Sequence, residues 1–468
     1  MKIGRMPRAR RAALAALAVL TLTATSCGLV RDQRENPDEG RIPGAGPDLG
    51  FGEFEEHVPA LEFDPNGVHI QPAAGAGTAS VAVHGPVLVH AGEYAFTAHD
   101  VVDDDRLWNV STEYGSPEAR SVVILEHGEA LIAVGSYRTL SPGEGTAQDT
   151  YVRELLAVDL LSGDLLWHEV TDDADYGSYS VGLDGDVLIL GGGGVWAVDV
   201  RDGGLLWSQE GKSARLVDDG VVVASAEDSG TDLYDVHRLY GLDAQTGEQV
   251  WETWAEGEHQ TRSEQARSEY SAFLETDPEP GEMVMVHGSL NGYDLHRLGY
   301  AGPGRFYATA SYSRKPWDLG SGGGMIGLFD TATGIADYSV NHDPSVGGVH
   351  PERAHWGEAS CSFDQEGRLA CWVVENSLVT IVAIDTEEGE ALWADEFSPG
   401  SERRSTEPVS AWKGALYAKV EGDPIILDLE DGSDLVIDPP VAPDLTNGTI
   451  AVEFEQDDDA LRVYPVTG

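Results

Sequence analysis

Basic side chains are scarce in this sequence. Its 468 residues carry 29 Lys and Arg against 81 Asp and Glu, a formal net charge of −52. Nucleic-acid binding needs basic surface to neutralise phosphates, so that class of partner is excluded. Long apolar runs are missing too. The longest, residues 12–24, is interrupted by Thr21 and Thr23 and falls short of the ~20 residues a membrane helix needs. Cysteine is nearly absent, with three residues. No Cys or His pair stands at metal-ligand spacing, so no metal ligands are assigned. The histidines, His57, His69, His84, His90, His99, His342, His350 and His355 among them, are dispersed. His84 and His90 read as sharing one face of a strand. There is no HExxH pair, no Gly-x-Ser-x-Gly elbow and no phosphate-binding glycine loop, and no catalytic residue is assigned. Acidic clusters at 103–105, 172–175 and 457–459 do not follow EF-hand spacing and read as solvated turns. Ca²⁺ is the one metal whose preference for oxygen donors they would suit.

What is present begins at the N-terminus. Lys2, Arg5, Arg8, Arg10 and Arg11 precede the apolar run, which ends in Ala24-Thr25-Ser26-Cys27. Basic n-region, short h-region and small residues are the pattern of an export signal. The small residues before Cys27 resemble a bacterial lipobox, with Ala24 where that motif usually has Leu. The resemblance implies cleavage after residue 26 and acylation, by palmitate or a similar chain, at Cys27. The expected location is therefore outside the cell membrane, held to its outer face. Residues 27–55, rich in Gly, Pro and charge, read as a flexible tether. The folded part is expected over 56–468, with a charged insertion near 253–281 that includes a short helix from Thr261.

The other cysteines lie in Cys361-Ser-Phe-Asp-Gln-Glu-Gly-Arg-Leu-Ala-Cys371. Asp364 to Arg368 is a turn signal. A hairpin folded about Glu366 places Cys361 opposite Cys371, and a cross-strand disulfide is expected in an oxidising exterior. Two buried thiols are the alternative.

One pattern recurs along the chain: Ala-x-Asp-x-x-x-Gly-x-x-x-Trp. It is complete at Ala157/Asp159/Gly163/Trp167, Ala197/Asp199/Gly203/Trp207 and Ala383/Asp385/Gly389/Trp393. Near copies are Ala98/Asp100/Asp104/Trp108, Gly241/Asp243/Gly247/Trp251, Leu328/Asp330/Gly334/Tyr338 and Ile426/Asp428/Gly432/Val436. The Asp should accept local backbone N–H bonds and the Gly should take positive φ. The aromatic should fill the space between neighbouring sheets, and the Ala should be small because a neighbour's Trp packs close to it. Short strands recurring about every 40 residues read as propeller blades.

These repeats resemble the Trp-docking repeats of the quinoprotein (PQQ-like) propellers, the family of quinohaemoprotein alcohol dehydrogenases and BamB-like lipoproteins. The resemblance covers roughly residues 57–468 and implies an all-β, WD40-like ring of four-stranded blades in an actinobacterial-type lipoprotein. Trp108, Trp167, Trp207, Trp251, Tyr338 and Trp393 become its docking residues. Seven repeats plus one blade pairing the two chain ends give eight blades, with seven as the alternative. Residues 57–64 are expected to supply the outer strands of the closing blade.

The family also makes PQQ the first cofactor to test. Its dehydrogenases carry adjacent cysteines over the cofactor; this chain has no such pair, and none of their catalytic residues carries over. The expectation is a monomeric, non-enzymatic binding or scaffold propeller for an unknown protein or envelope ligand, without cofactor. An extracytoplasmic PQQ-type oxidoreductase and a Ca²⁺-dependent surface protein are the alternatives. Trp356, outside the repeat, is the candidate functional aromatic on a loop.

Overall fold

A computed structural model describes residues 57–70, 81–92, 95–112, 119–128, 130–141, 148–171, 179–227, 237–252, 284–285, 294–312, 323–342, 359–375, 378–397, 406–455 and 460–468. Cys27, the 27–55 tether, the 253–281 insertion with its expected helix, and Trp356 lie outside these residues.

The described part is all β. Eight antiparallel sheets follow one another along the chain as an eight-bladed propeller. Blades 1 to 7 span residues 81–111, 119–171, 179–210, 213–252, 294–342, 360–397 and 406–437. Each runs in chain order from its inner to its outer strand. Blade 5 has a fifth strand, Val284–Met285, paired outside Ala336–His342. Blade 8 is composite: the C-terminal strands end in Ala460–Pro465, and Val68–Ile70 from the other end of the chain pairs with that strand.

This closure differs from the sequence reading. The outer strand is 68–70, in register Val68 with Val463 and Ile70 with Leu461. Residues 57–64 do something else. Phe63 bridges Val466, and His57 and Leu61 donate backbone N–H bonds to Gly448 and Gly468. Ala60 and Phe63 pack with Trp412, Tyr417, Ala451 and Tyr464, at the seam between blades 7 and 8. Tyr417 donates its hydroxyl hydrogen to Ala60 O at 3.0 Å. Blade 7 carries Val436 where a docking Trp would stand, too small to fill the seam, and the N-terminal segment fills it instead.

The core consists of these seams. Blades 1 and 2 share Phe96, Trp108, Ala133, Tyr137 and Leu160, and each following pair shares a comparable cluster. Strand residues buried on both sheet faces explain runs such as Val87-Leu88-Val89 and Val221-Val222-Val223-Ala224, apolar without alternation.

Candidate interaction face

The docking geometry repeats five times. Each Trp donates its indole N–H to the carbonyl of the residue after the next blade's motif Asp. Trp108 donates to Leu160 O (2.8 Å), Trp167 to Val200 O (2.6 Å), Trp207 to Ala244 O (3.0 Å), Trp251 to Thr331 O (2.8 Å) and Trp393 to Leu429 O (2.9 Å). The motif Asp caps its own turn: Asp159 Oδ1 accepts the N–H groups of Leu161 and Ser162, and Asp243 Oδ1 those of Gln245 and Thr246. The motif Gly does two jobs. Gly163 has φ +74°, and a Cβ there would lie 2.6 Å from Trp108 Cβ. Gly247 and Gly334 face Trp207 and Trp251 in the same way.

The role expected for the motif Ala needs correction. Ala157, Ala197 and Ala383 pair directly with Trp167, Trp207 and Trp393 of their own blade. A Cβ on Gly241, the variant of this position, would come within 2.2 Å of Trp251 of the same blade. The small residue makes room for its own blade's indole, and the Gly meets the neighbour's.

Tyr338 pairs through its backbone with Leu328, but its side chain lies outside the described residues. The carbonyl that a Trp there would reach, Thr386 O, accepts an N–H from Arg305 instead. Trp317 falls outside the described residues, while Trp372 and Trp412 belong to seams. Cys361 and Cys371 are register partners on blade 6 and form a disulfide, with S–S 2.03 Å.

His84 and His90 do not share a strand or a face. They sit on two arms of a hairpin, His84 opposite Val87 and His90 opposite Val81. His90 instead stacks on His99, with ring centroids 5.4 Å apart. Burial, helped by the Arg106 guanidinium and opposed by Asp104, holds the His99 pKa down at about 4. Among the described residues no group of three or more His, Cys, Asp or Glu could hold a metal ion.

The two faces of the ring differ. In every complete blade, the turn after the inner strand and the Asp-x-x-x-Gly turn lie on the same face, because the strands alternate in direction. Those turns are short, as at 85–86, 185–186 and 200–204. The long connections join strand ends at the opposite face: 71–80, 142–149, 228–236, 253–293 (which contains the edge strand Val284–Met285), 313–322, 343–359 and 398–405. Binding residues concentrate on loops positioned by a rigid scaffold, which makes the second face the candidate interaction face. The chain comes into the propeller on the other side. His57 is bonded to Gly448, in the short turn 447–449 of blade 8.

The inner strands border this face. Tyr179 of blade 3 donates its hydroxyl hydrogen to Ala214 O of blade 4 at 2.9 Å. Burial pushes the Tyr307 hydroxyl pKa up, with the Arg297 charge pulling the other way.

Residues 152–297, the outer half of blade 2, blades 3 and 4 and the start of blade 5, match the family model described as outer membrane protein assembly factor BamB. No curated protein matches the chain. Among solved structures, BamB from Moraxella catarrhalis is 16% identical, with 82% of this chain and 96% of that one covered and a TM-score of 0.45. The computationally designed Ika8 protein is 14% identical over 84% and 98%, with a TM-score of 0.46. The Dos1 propeller is 13% identical over 86% and 94%, with a TM-score of 0.44. At such scores the fold assignment rests on the chain's own strand pairing and repeats. The chain is an eight-bladed β-propeller, and its residues 152–297 are similar to the BamB family.

Proposed function

We propose that this chain is an exported, envelope-anchored propeller that binds a protein partner on its long-connection face and catalyses no reaction. The observation that carries the reading is the opposition of the two faces. The chain enters at the short-turn face, beside Gly448, which leaves the face with the long connections clear of the entering segment. The match of residues 152–297 to an assembly-factor model supports a scaffold role, and the net charge of −52 keeps the body of the protein off anionic lipid headgroups.

Photo-crosslinking side chains placed singly on each face of the tethered protein test this in cells. Crosslinks to one defined protein are expected from the long-connection face and not from positions such as Gly220 on the short turns. Equal crosslinking from both faces would overturn the reading. A clickable fatty acid tests the anchor: Cys27→Ala should abolish labelling. The oxidoreductase alternative is addressed by adding PQQ and Ca²⁺ to the purified protein; saturable absorbance changes with dye-linked turnover would replace the binding reading.

A further inference from the structure

Seven seams of the ring are pinned by a large side chain that donates to a carbonyl. Five use a Trp, the 5–6 seam uses Arg305, and the 7–8 seam uses Tyr417 through the N-terminal segment. The seam between blades 8 and 1 is built differently. The outer strand of blade 8 is Val68-His69-Ile70, with no aromatic to dock. Val101 follows the motif Asp100 and carries the carbonyl that a docking Trp would reach. It shares an apolar cluster with Val68 and Ile70 instead. Asn447 Nδ2 crosses the seam at its short-turn end and donates to Gly85 O at 3.0 Å.

This seam also holds the stacked histidines. Leu88 of blade 1 belongs to its cluster, with Ile450, Val452, Leu461 and Val463 of blade 8. His99 is the register partner of Leu88, and cross-strand partners share a face. His90 stands two residues after Leu88 on the same strand, and so on the same face. His90 is buried and His99 half-buried. Within blade 1 the charged groups beside His99 are Arg106, its register partner on the outer strand, and Asp104 in the turn. Blade 8 turns apolar side chains to the seam. Its Glu453 and Arg462 alternate with those and fall on the far face, where Glu453 and Asp444 meet Lys419 of blade 7 and Arg462 meets His69.

We infer that the seam between blades 8 and 1 is an acid-operated joint, in which a proton taken up by His99 against the apolar face of blade 8 parts the two blades and opens the ring. A charged imidazole there would be buried against Val452 and Val463, with a second ring stacked on it and a guanidinium beside it. Opening lets water reach the ring. In the closed form burial holds the His99 pKa at about 4; in the open form it returns towards the ordinary 6.5. The open form therefore binds the proton first, and opening becomes easier as pH falls from about 6.5 towards 4. The sheets themselves stay intact, because their strands pair within each blade. What acid uncovers is one apolar face on blade 8 and one on blade 1. The inference is independent of the binding reading.

Thiol accessibility tests the joint in the whole protein. Val452→Cys puts a thiol in the 8–1 seam, and Val198→Cys puts one in the Trp-pinned 2–3 seam; both valines are fully buried. Each variant is labelled with 4,4′-dithiodipyridine, which reacts in acid, and the rate is read at the engineered site by mass spectrometry. Taking the ratio of the two rates cancels the pH dependence of the chemistry. The ratio of 452 to 198 should rise about tenfold between pH 7.5 and pH 5.5. Adding His99→Gln to both variants should hold that rise under about twofold. A ratio that does not change with pH in the variants that keep His99 would overturn the joint, whatever the His99→Gln proteins do. A tenfold rise that survives His99→Gln would overturn the assignment to this histidine.

Discussion

Trp251 and Thr331 lie 80 residues apart in sequence, and the indole N–H of one donates to the carbonyl oxygen of the other at 2.8 Å. The contact crosses the whole 253–281 insertion and joins blade 4 to blade 5 with the geometry used between blades separated by short connections. Trp251→Phe keeps most of the apolar bulk and removes the donor. It should cost about 1–2 kcal/mol in denaturant unfolding, chiefly from the unsatisfied Thr331 carbonyl. Trp251→Ala should cost about 3 kcal/mol or more through the cavity it leaves.

Gly163 and Gly220 separate two reasons for glycine. Both have φ +74°, but a Cβ on Gly163 would strike Trp108 at 2.6 Å, while Gly220 has nothing within 4 Å. Gly220→Ala should lose only about 1–2 kcal/mol of backbone strain. Gly163→Ala should lose at least about 2 kcal/mol more, because the Trp108 seam must open. Equal losses would show that the turn, and not the docking, selects the residue.

His99 makes stability fall with acid. Its pKa of about 4 lies below the ordinary 6.5, so the unfolded state binds the extra proton first. The stabilisation of the neutral ring is complete above pH 6.5 and is lost as pH falls through that value towards 4, by up to about 3 kcal/mol. Carboxylates also titrate below pH 5, so the measurement is a difference. Between pH 7 and pH 5, His99→Gln should lose markedly less stability than the parent protein in urea titrations.

Reduction of the Cys361–Cys371 bond reopens a short loop. The double variant Cys361→Ser, Cys371→Ser should be less stable by about 2–3 kcal/mol, the chain-entropy value for a closure of this length. The far-UV spectrum should be unchanged, since the backbone pairing around Cys361 and Cys371 does not depend on the sulfurs.

Much of this was legible in the sequence, for a physical reason. A blade repeats one problem, how to bury a sheet against its neighbour, and the solution leaves Asp, Gly and Trp at fixed spacing. The Cys361/Cys371 pairing was readable because a tight turn fixes register by counting. The closure was harder. Residues 57–64 looked like an outer strand, but their partners are Tyr417 and Trp412 on a blade lacking its Trp, and only the three-dimensional seam reveals that vacancy. His84 and His90 were misread because Gly85-Pro86 turns the chain between them.

The composite blade also imposes a timetable. Val68 and Phe63 are among the first described residues to be synthesised, yet their partners Val463 and Val466 come within the last six residues of the chain. The leading segment therefore stays unpaired until residues 460–466 have been made. Stalling or truncation near the carboxyl end should leave seven blades and two unsealed edges, a form for quality-control proteases to recognise.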